Sequence, residues 1–156
     1  MAAVAGNERG LTLIEVLIVM LLIGLTSMFV NVVVDARNDP GREVDRLALA
    51  LQTAADRAMI RGTPVRFELI PQGYRFSYLD VSGNWVVITD DPLLAEHGLP
   101  PNMSVRRMTQ EGQDAGDSLT FGSDIALYRL DIELPSGPLS LISQPTGAVR
   151  KSAPAV

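Results

Sequence analysis

The sequence predicts an α+β protein: a long N-terminal helix, half suited to a membrane and half amphipathic, packed on a C-terminal antiparallel β-sandwich-like domain. Three observations carry this reading. Residues 11–34 are apolar on every face of a helix. From Arg42 the apolar residues recur at three- and four-residue steps, the period of a helix with one buried face. After Thr63 the pattern changes to short apolar or alternating runs cut by Gly, Pro, Asn and Ser, as in strands and turns. A helix followed by strands, without alternation of the two, belongs to the α+β class.

The stretch from Leu11 to Val34 reads LTLIEVLIVMLLIGLTSMFVNVVV, 24 residues with Glu15 as its one ionisable side chain. At about 1.5 Å per residue it spans roughly 36 Å, more than a hydrocarbon core of about 30 Å requires. Gly24, Thr26 and Ser27 are tolerated in such helices. An ordinary cleaved secretory signal fits poorly: the first ten residues hold Arg9 as their one basic side chain, and no Ala-x-Ala follows the run. Arg9 and the amino terminus on one side face Arg37 and Arg42 on the other, so charge counting leaves orientation open. Glu15 is costly at mid-membrane, by about 2.5–3.5 kcal/mol, and less so near the boundary. It is either a functional carboxylate or an interfacial one reaching water.

Asn38-Asp39-Pro40-Gly41 reads as a kink or break, with Asp39 equally able to cap a second helix that has Pro40 at its first position. Between Arg42 and Arg61 the stripe Val44, Leu47, Ala48, Leu51, Ala54, Ala55, Ala58 and Met59 is expected to face a sheet. Val44, Leu47, Leu51, Ala55 and Met59 are the expected packing contacts. Arg42, Glu43, Asp45, Arg46, Gln52, Asp56 and Arg57 fill the other face. Gly62 is placed to end the helix. About eight strands follow: 64–70, 74–79, 85–89, 104–108, 118–121, 127–134, 139–143 and 148–150. Residues 90–102 and 110–117 are expected as loops, and 151–156 as a frayed tail.

Composition narrows the function. The chain of 156 residues carries 13 Lys and Arg against 18 Asp and Glu, a net charge of −5. No basic field is present to attract a phosphate backbone, so nucleic acid is not expected as a partner. Cysteine is absent, which removes disulfides, thiol catalysis and thiolate metal sites. His97 is the one histidine, so an imidazole-rich zinc site is out. It sits without a nucleophile elbow and reads as a solvated loop residue. Asp90, Asp91, Asp114 and Asp117 lack the spacing of a calcium loop and read as turn residues. Trp85, after Gly83-Asn84, reads as a half-buried strand residue. Neither a catalytic residue, a metal nor a cofactor is expected.

Gly10-Leu11-Thr12-Leu13-Ile14-Glu15-Val16-Leu17, at the head of an apolar run, resembles the class III signal of type IV pilins and pseudopilins. The resemblance implies a leader of residues 1–10, cleavage between Gly10 and Leu11 by a prepilin peptidase, N-methylation of Leu11, and Glu15 as fifth residue of the mature chain. Leu11 departs from the family's usual phenylalanine. In that family the glutamate pairs with the amino terminus of a neighbouring subunit during assembly.

The remaining chain resembles the minor pseudopilin H family of the type II secretion system. The likeness lies in REVDRLALALQTAADRAMIRG from Arg42 to Gly62, in YRFSYLDVSGNWVVITDDPLLAEHGLPPNMSV, and in LYRLDIELPSGPLSLISQPTGAVR. It implies the pseudopilin fold, divided into a leader, an assembly helix at 11–34, a linker and amphipathic helix at 35–62, and a periplasmic β domain at 63–156. It implies a non-enzymatic structural subunit near the tip of a periplasmic pseudopilus, held in the inner membrane by one span. Its partners would be the major pseudopilin, other minor pseudopilins, the prepilin peptidase, the inner-membrane assembly platform and secreted proteins. A minor pilin of a type IV pilus, without that group's frequent C-terminal cysteine pair, and a membrane-anchored periplasmic binding module remain alternatives.

Overall fold

The computed structural model describes residues 13–23 and 39–153. The chain divides into two compact units between Arg37 and Asn38. In the first, residues 13–23 form a helix, α1. Among the described residues no helix is long and apolar enough to cross a membrane. Most of the apolar run at 11–34, and both Gly10 and Leu11, lie outside the described residues.

The second unit opens with helix α2, Pro40–Arg61. Asp39 begins it as an N-cap in extended conformation, its side chain accepting from the Gly41 N–H at 3.0 Å, with Pro40 at the first helical position. That cap satisfies a backbone donor that would otherwise be unpaired. Gly62 ends the helix in the left-handed region at φ 61°, where a side chain would be strained.

Ten strands follow in the described residues, in two antiparallel sheets. The first has the order β3-β2-β1-β7, with β4 also on β2: β1 is Val65–Ile70, β2 Gly73–Leu79, β3 Trp85–Val87, β4 His97–Gly98 and β7 Ser118–Phe121. The second has the order β10-β9-β8-β5-β6: β5 is Ser104–Gln110, β6 Gln113–Asp114, β8 Tyr128–Leu134, β9 Gly137–Ser143 and β10 Val149–Ser152. Alternation sends Phe67, Tyr74, Phe76, Leu119 and Phe121 of the first sheet inward, with Met108, Leu130, Ile132 and Leu141 of the second. α2 packs on β1 and β7 of one sheet and on β10 of the other.

Three segments depart from the sequence-based expectation. The loop at 90–102 contains β4, pairing His97 with Tyr74 and Gly98 with Gly73. The loop at 110–117 is a hairpin: β6 pairs with β5 around the two-residue turn Glu111-Gly112, with φ of 53° and 77°. Such turns normally announce themselves by Asn-Gly or Asp-Gly. Here Glu111 holds the left-handed position because its N–H donates to the Leu127 carbonyl and its carboxylate accepts from the Leu127 N–H. Finally, Lys151 and Ser152 are not a frayed tail but continue β10, opposite Leu141 and Ser140.

On the outer face of the second sheet, Asp131 accepts from Arg129 at 2.7 Å and from the Ser140 hydroxyl at 2.6 Å. Partial burial works against its ionisation, but these two donors outweigh it and hold the carboxyl below its ordinary value. A carboxyl so depressed adds stability above its unfolded pKa and loses it as pH falls through the folded value. Asp131→Asn is therefore expected to leave the acid limb of a stability-against-pH curve shallower than wild type; an unchanged limb would contradict this.

A fragment starting at Asp39 is expected to fold alone, with a circular dichroism spectrum dominated by strand; a mainly helical spectrum would argue against the fold. Within it Leu47→Ala is expected to cost about 2–5 kcal/mol in urea unfolding. Met59→Ala, at a residue 44% exposed, is expected to cost no more than about 1 kcal/mol.

Candidate functional site

Glu15 lies within α1. Around it Leu13, Ile14, Val16, Leu17, Ile18, Val19, Met20, Leu21, Leu22 and Ile23 are between 44% and 79% exposed. These apolar side chains cover every face of the helix, so α1 suits lipid or other apolar helices rather than water. A carboxylate carried into either setting is expensive unless a cation meets it. Among the described residues of α1, Glu15 is the one ionisable side chain.

The buried face of α2 is explained by its helical wheel. At about 100° per residue, Glu43, Val44, Leu47, Ala50, Leu51, Ala54 and Ala58 all fall within about 60° of Leu47, and all are buried. Ala55, about 80° away, is half-buried against the core. Met59, about 120° away, falls outside the arc, is exposed, and against expectation is not among the residues packed against the core. Glu43, which sequence reasoning put on the polar face, is instead buried. Its position four residues before Leu47 was the available signal: a charge standing on the apolar stripe.

Glu43 is buried with partners. Its carboxylate accepts from the Tyr74 hydroxyl at 3.2 Å and lies 3.0 Å from His97 Nε2. Burial first, and then the charge of Glu43, push the Tyr74 hydroxyl pKa well above the ordinary tyrosine value, so Tyr74 stays a donor. The His97 ring also stacks at a tilt on Tyr74, with centroids 5.7 Å apart. His97 is thus tied into the fold and is not the solvated loop residue expected.

Two more side chains of the same flank hold the segment 90–98. Arg46 donates to the Pro92 carbonyl at 3.0 Å, and Arg57 reaches Asp90 at 3.4 Å. The Arg57 hydrogen bonds hold the exposed Asp90 carboxyl below its ordinary value. Glu43, Arg46 and Arg57 therefore strap a segment with little secondary structure onto α2. Gly73 lets it approach: a Cβ there would run into the His97 carbonyl oxygen. Among the described residues no group of His, Asp and Glu is arranged to hold a metal ion.

The family model of type II transport protein GspH matches residues 43–150. That of the prokaryotic N-terminal methylation motif matches residues 6–30, which include Gly10, Leu11 and Glu15. Two solved structures of the minor pseudopilin EpsH from the type II secretion system of Vibrio cholerae are similar in fold. One has 15% identity and a TM-score of 0.53, covering 73% of this chain and 98% of that one. The other has 12% identity and a TM-score of 0.59, covering 78% and 98%. No curated protein gives a significant match.

Tyr74→Phe is expected to destabilise the second unit by about 1–3 kcal/mol, because it takes a donor from a buried carboxylate. It should also speed amide exchange at Leu99, whose N–H donates to the Gln72 carbonyl beside β4. Unchanged exchange there would mean that the Glu43 contacts do not hold the strap.

Proposed function

The chain belongs to the type II transport protein GspH family, and from that membership we propose that it is a minor pseudopilin, a non-enzymatic subunit near the tip of the periplasmic pseudopilus that supports export of folded proteins across the outer membrane. The observation that carries the reading is α1: exposed apolar side chains on every face, with Glu15 among them, inside the residues matched by the methylation motif. A prepilin peptidase cuts between Gly10 and Leu11 and methylates the Leu11 amine, which remains a cation. Residues 1–10 are then the leader and 11–34 the assembly helix, anchored in the inner membrane with the C-terminal unit in the periplasm.

An apolar helix of this kind exchanges lipid for neighbouring helices without uncovering apolar surface to water, and so enters or leaves a filament readily. Glu15 supplies the directional contact, to the Leu11-type amine of the next subunit. Two unit charges 4 Å apart attract by about 4 kcal/mol at an effective dielectric of 20, before desolvation is deducted. The pair therefore sets axial register more than it adds net stability. The partners are the major pseudopilin, other minor pseudopilins and the inner-membrane assembly platform, with secreted proteins as the cargo served.

Intact mass of the membrane-extracted protein is expected to match a chain starting at methylated Leu11; a full-length species in cells with active prepilin peptidase would contradict the processing. Glu15→Gln keeps shape and removes charge. It is expected to be inserted and cleaved normally while its recovery with other pseudopilins falls by about tenfold, the loss of roughly 1.4 kcal/mol of net pairing. Normal recovery and normal secretion would reduce Glu15 to an interfacial residue.

A further inference from the structure

The two ends of the second unit differ in chemistry. β1 and β2 run between them, with Val65 opposite Tyr78 at one end and Ile70 opposite Gly73 at the other. Five steps of strand separate Val65 from Ile70, about 17 Å. At the Val65 end stand the last turn of α2 and the turn at 80–84. At the Ile70 end stands the first turn of α2, since Glu43 in that turn reaches the Tyr74 hydroxyl at 3.2 Å. The chain therefore enters the second unit at the Ile70 end.

Residues 69–73 (LIPQG), 98–105 (GLPPNMSV) and 134–138 (LPSGP) gather there, and none of the three stretches holds an ionisable side chain. The first two enclose a groove of about 670 Å³, whose lining includes Leu69, Ile70, Pro71, Leu99, Pro101 and Met103. Ser104 also lines it and stands opposite Glu133, which brings the third stretch alongside. Pro71, Pro101 and Pro135 are exposed at the tips. The backbone is held from within: the Leu99 N–H donates to the Gln72 carbonyl, and the Met103 N–H to the Pro100 carbonyl. Proline-bearing turns tied in this way lose little freedom when something covers them.

The charges nearest this groove stand beside it rather than in it. Glu68 pairs with Arg75 and Glu133 with Arg106, and Asp117 flanks it where its carbonyl accepts from the Leu69 N–H. The connections at the opposite end are acidic: Asp80 follows β2, Glu111 follows β5, and Asp124 follows β7. Only residues 35–38 separate the apolar run at 11–34 from the Asp39 cap of α2. From residue 34 to Asp39 the chain reaches at most about 18 Å.

We propose that the charge-free end of the second unit docks on the bilayer surface, its groove and proline tips meeting apolar lipid at the interface. The proposal rests on the reading of residues 11–34 as the membrane anchor, and it adds a second, reversible contact with the same membrane. Burying uncharged apolar surface there is favourable and strips water from no ion. The short connection makes the contact intramolecular, at an effective concentration of roughly millimolar, so a weak site is enough to hold the unit down. A weak site also lets go.

The test uses the full chain in phosphatidylcholine nanodiscs doped with a gadolinium-chelating lipid, and reads relaxation enhancement at each backbone amide. Enhancement falls with the sixth power of distance, so with the two ends about 17 Å apart Ile70, Gln72, Leu99 and Asn102 should exceed Ser82 and Asn84 more than about tenfold. Those four should also exceed Gly41 and Arg42 at the start of α2, which the connection alone brings near the membrane. The pattern should survive about 1 M salt, which screens charges but spares an uncharged contact. Pro71→Asp with Pro101→Asp, at two exposed tips, should bring the loops down to the level of Gly41. Loops no more enhanced than Gly41 and Arg42, in a chain that stays with the discs, overturn the docking and leave the anchor standing. A chain that separates from the discs removes the anchor, and the proposal falls with it. Loss of the pattern in salt, or equal enhancement at Ser82 and Asn84, overturns it as well. Loops shielded from solvent exchange but not enhanced, in discs that hold two chains, would make a second copy the occupant and overturn it too.

Discussion

Both sheets of the second unit bury part of their inner faces under one helix, α2. Its buried arc lies against β1 and β7 of one sheet and β10 of the other. Alanines at 50, 54 and 58 let the helix axis come close, while Val44, Leu47 and Leu51 supply volume to the core. Fully burying a valine or leucine side chain stabilises by about 1.5–3 kcal/mol, and the aromatic group of Phe67, Tyr74 and Phe76 packs beneath with ring centroids 5.3 to 5.9 Å apart. The Asp39 cap and the Gly62 stop fix where this helix begins and ends, and hence which residues reach the sheets.

The same helix orders the segment that would otherwise be least determined. Glu43, Arg46 and Arg57 stand on one flank of α2, and together they hold residues 90–98 along it. Glu43 is costly to bury, and removing either partner would leave a desolvated charge. The contact is thus better suited to specifying one arrangement of β4 on β2 than to adding stability.

Much of this was legible in the residues. The helix ending at Arg61, the Gly62 stop, the option of a cap at Asp39 and most strands follow from periodicity and turn chemistry. What was not legible came from tertiary context. Glu43 looks solvated until Tyr74 and His97, from distant positions in the chain, are brought to it. Met59 fits a three-and-four spacing, yet the drift of 3.6 residues per turn carries it off the buried arc. β4 and β6 are two residues each, too short for any periodic signal. At the N-terminus the reverse holds: the motif around Gly10, Leu11 and Glu15 is read from sequence, and α1 adds the exposure of its apolar faces.

Glu15 is proposed to meet the amino terminus of another subunit during assembly. A photo-crosslinking residue placed at position 15 of the full chain, in cells assembling pseudopili, tests it most directly. Adducts to the first residues of a neighbouring pilin-type subunit are expected, appearing only when the assembly machinery is active. Adducts to lipid alone under the same conditions, or to another part of a neighbour, would contradict it.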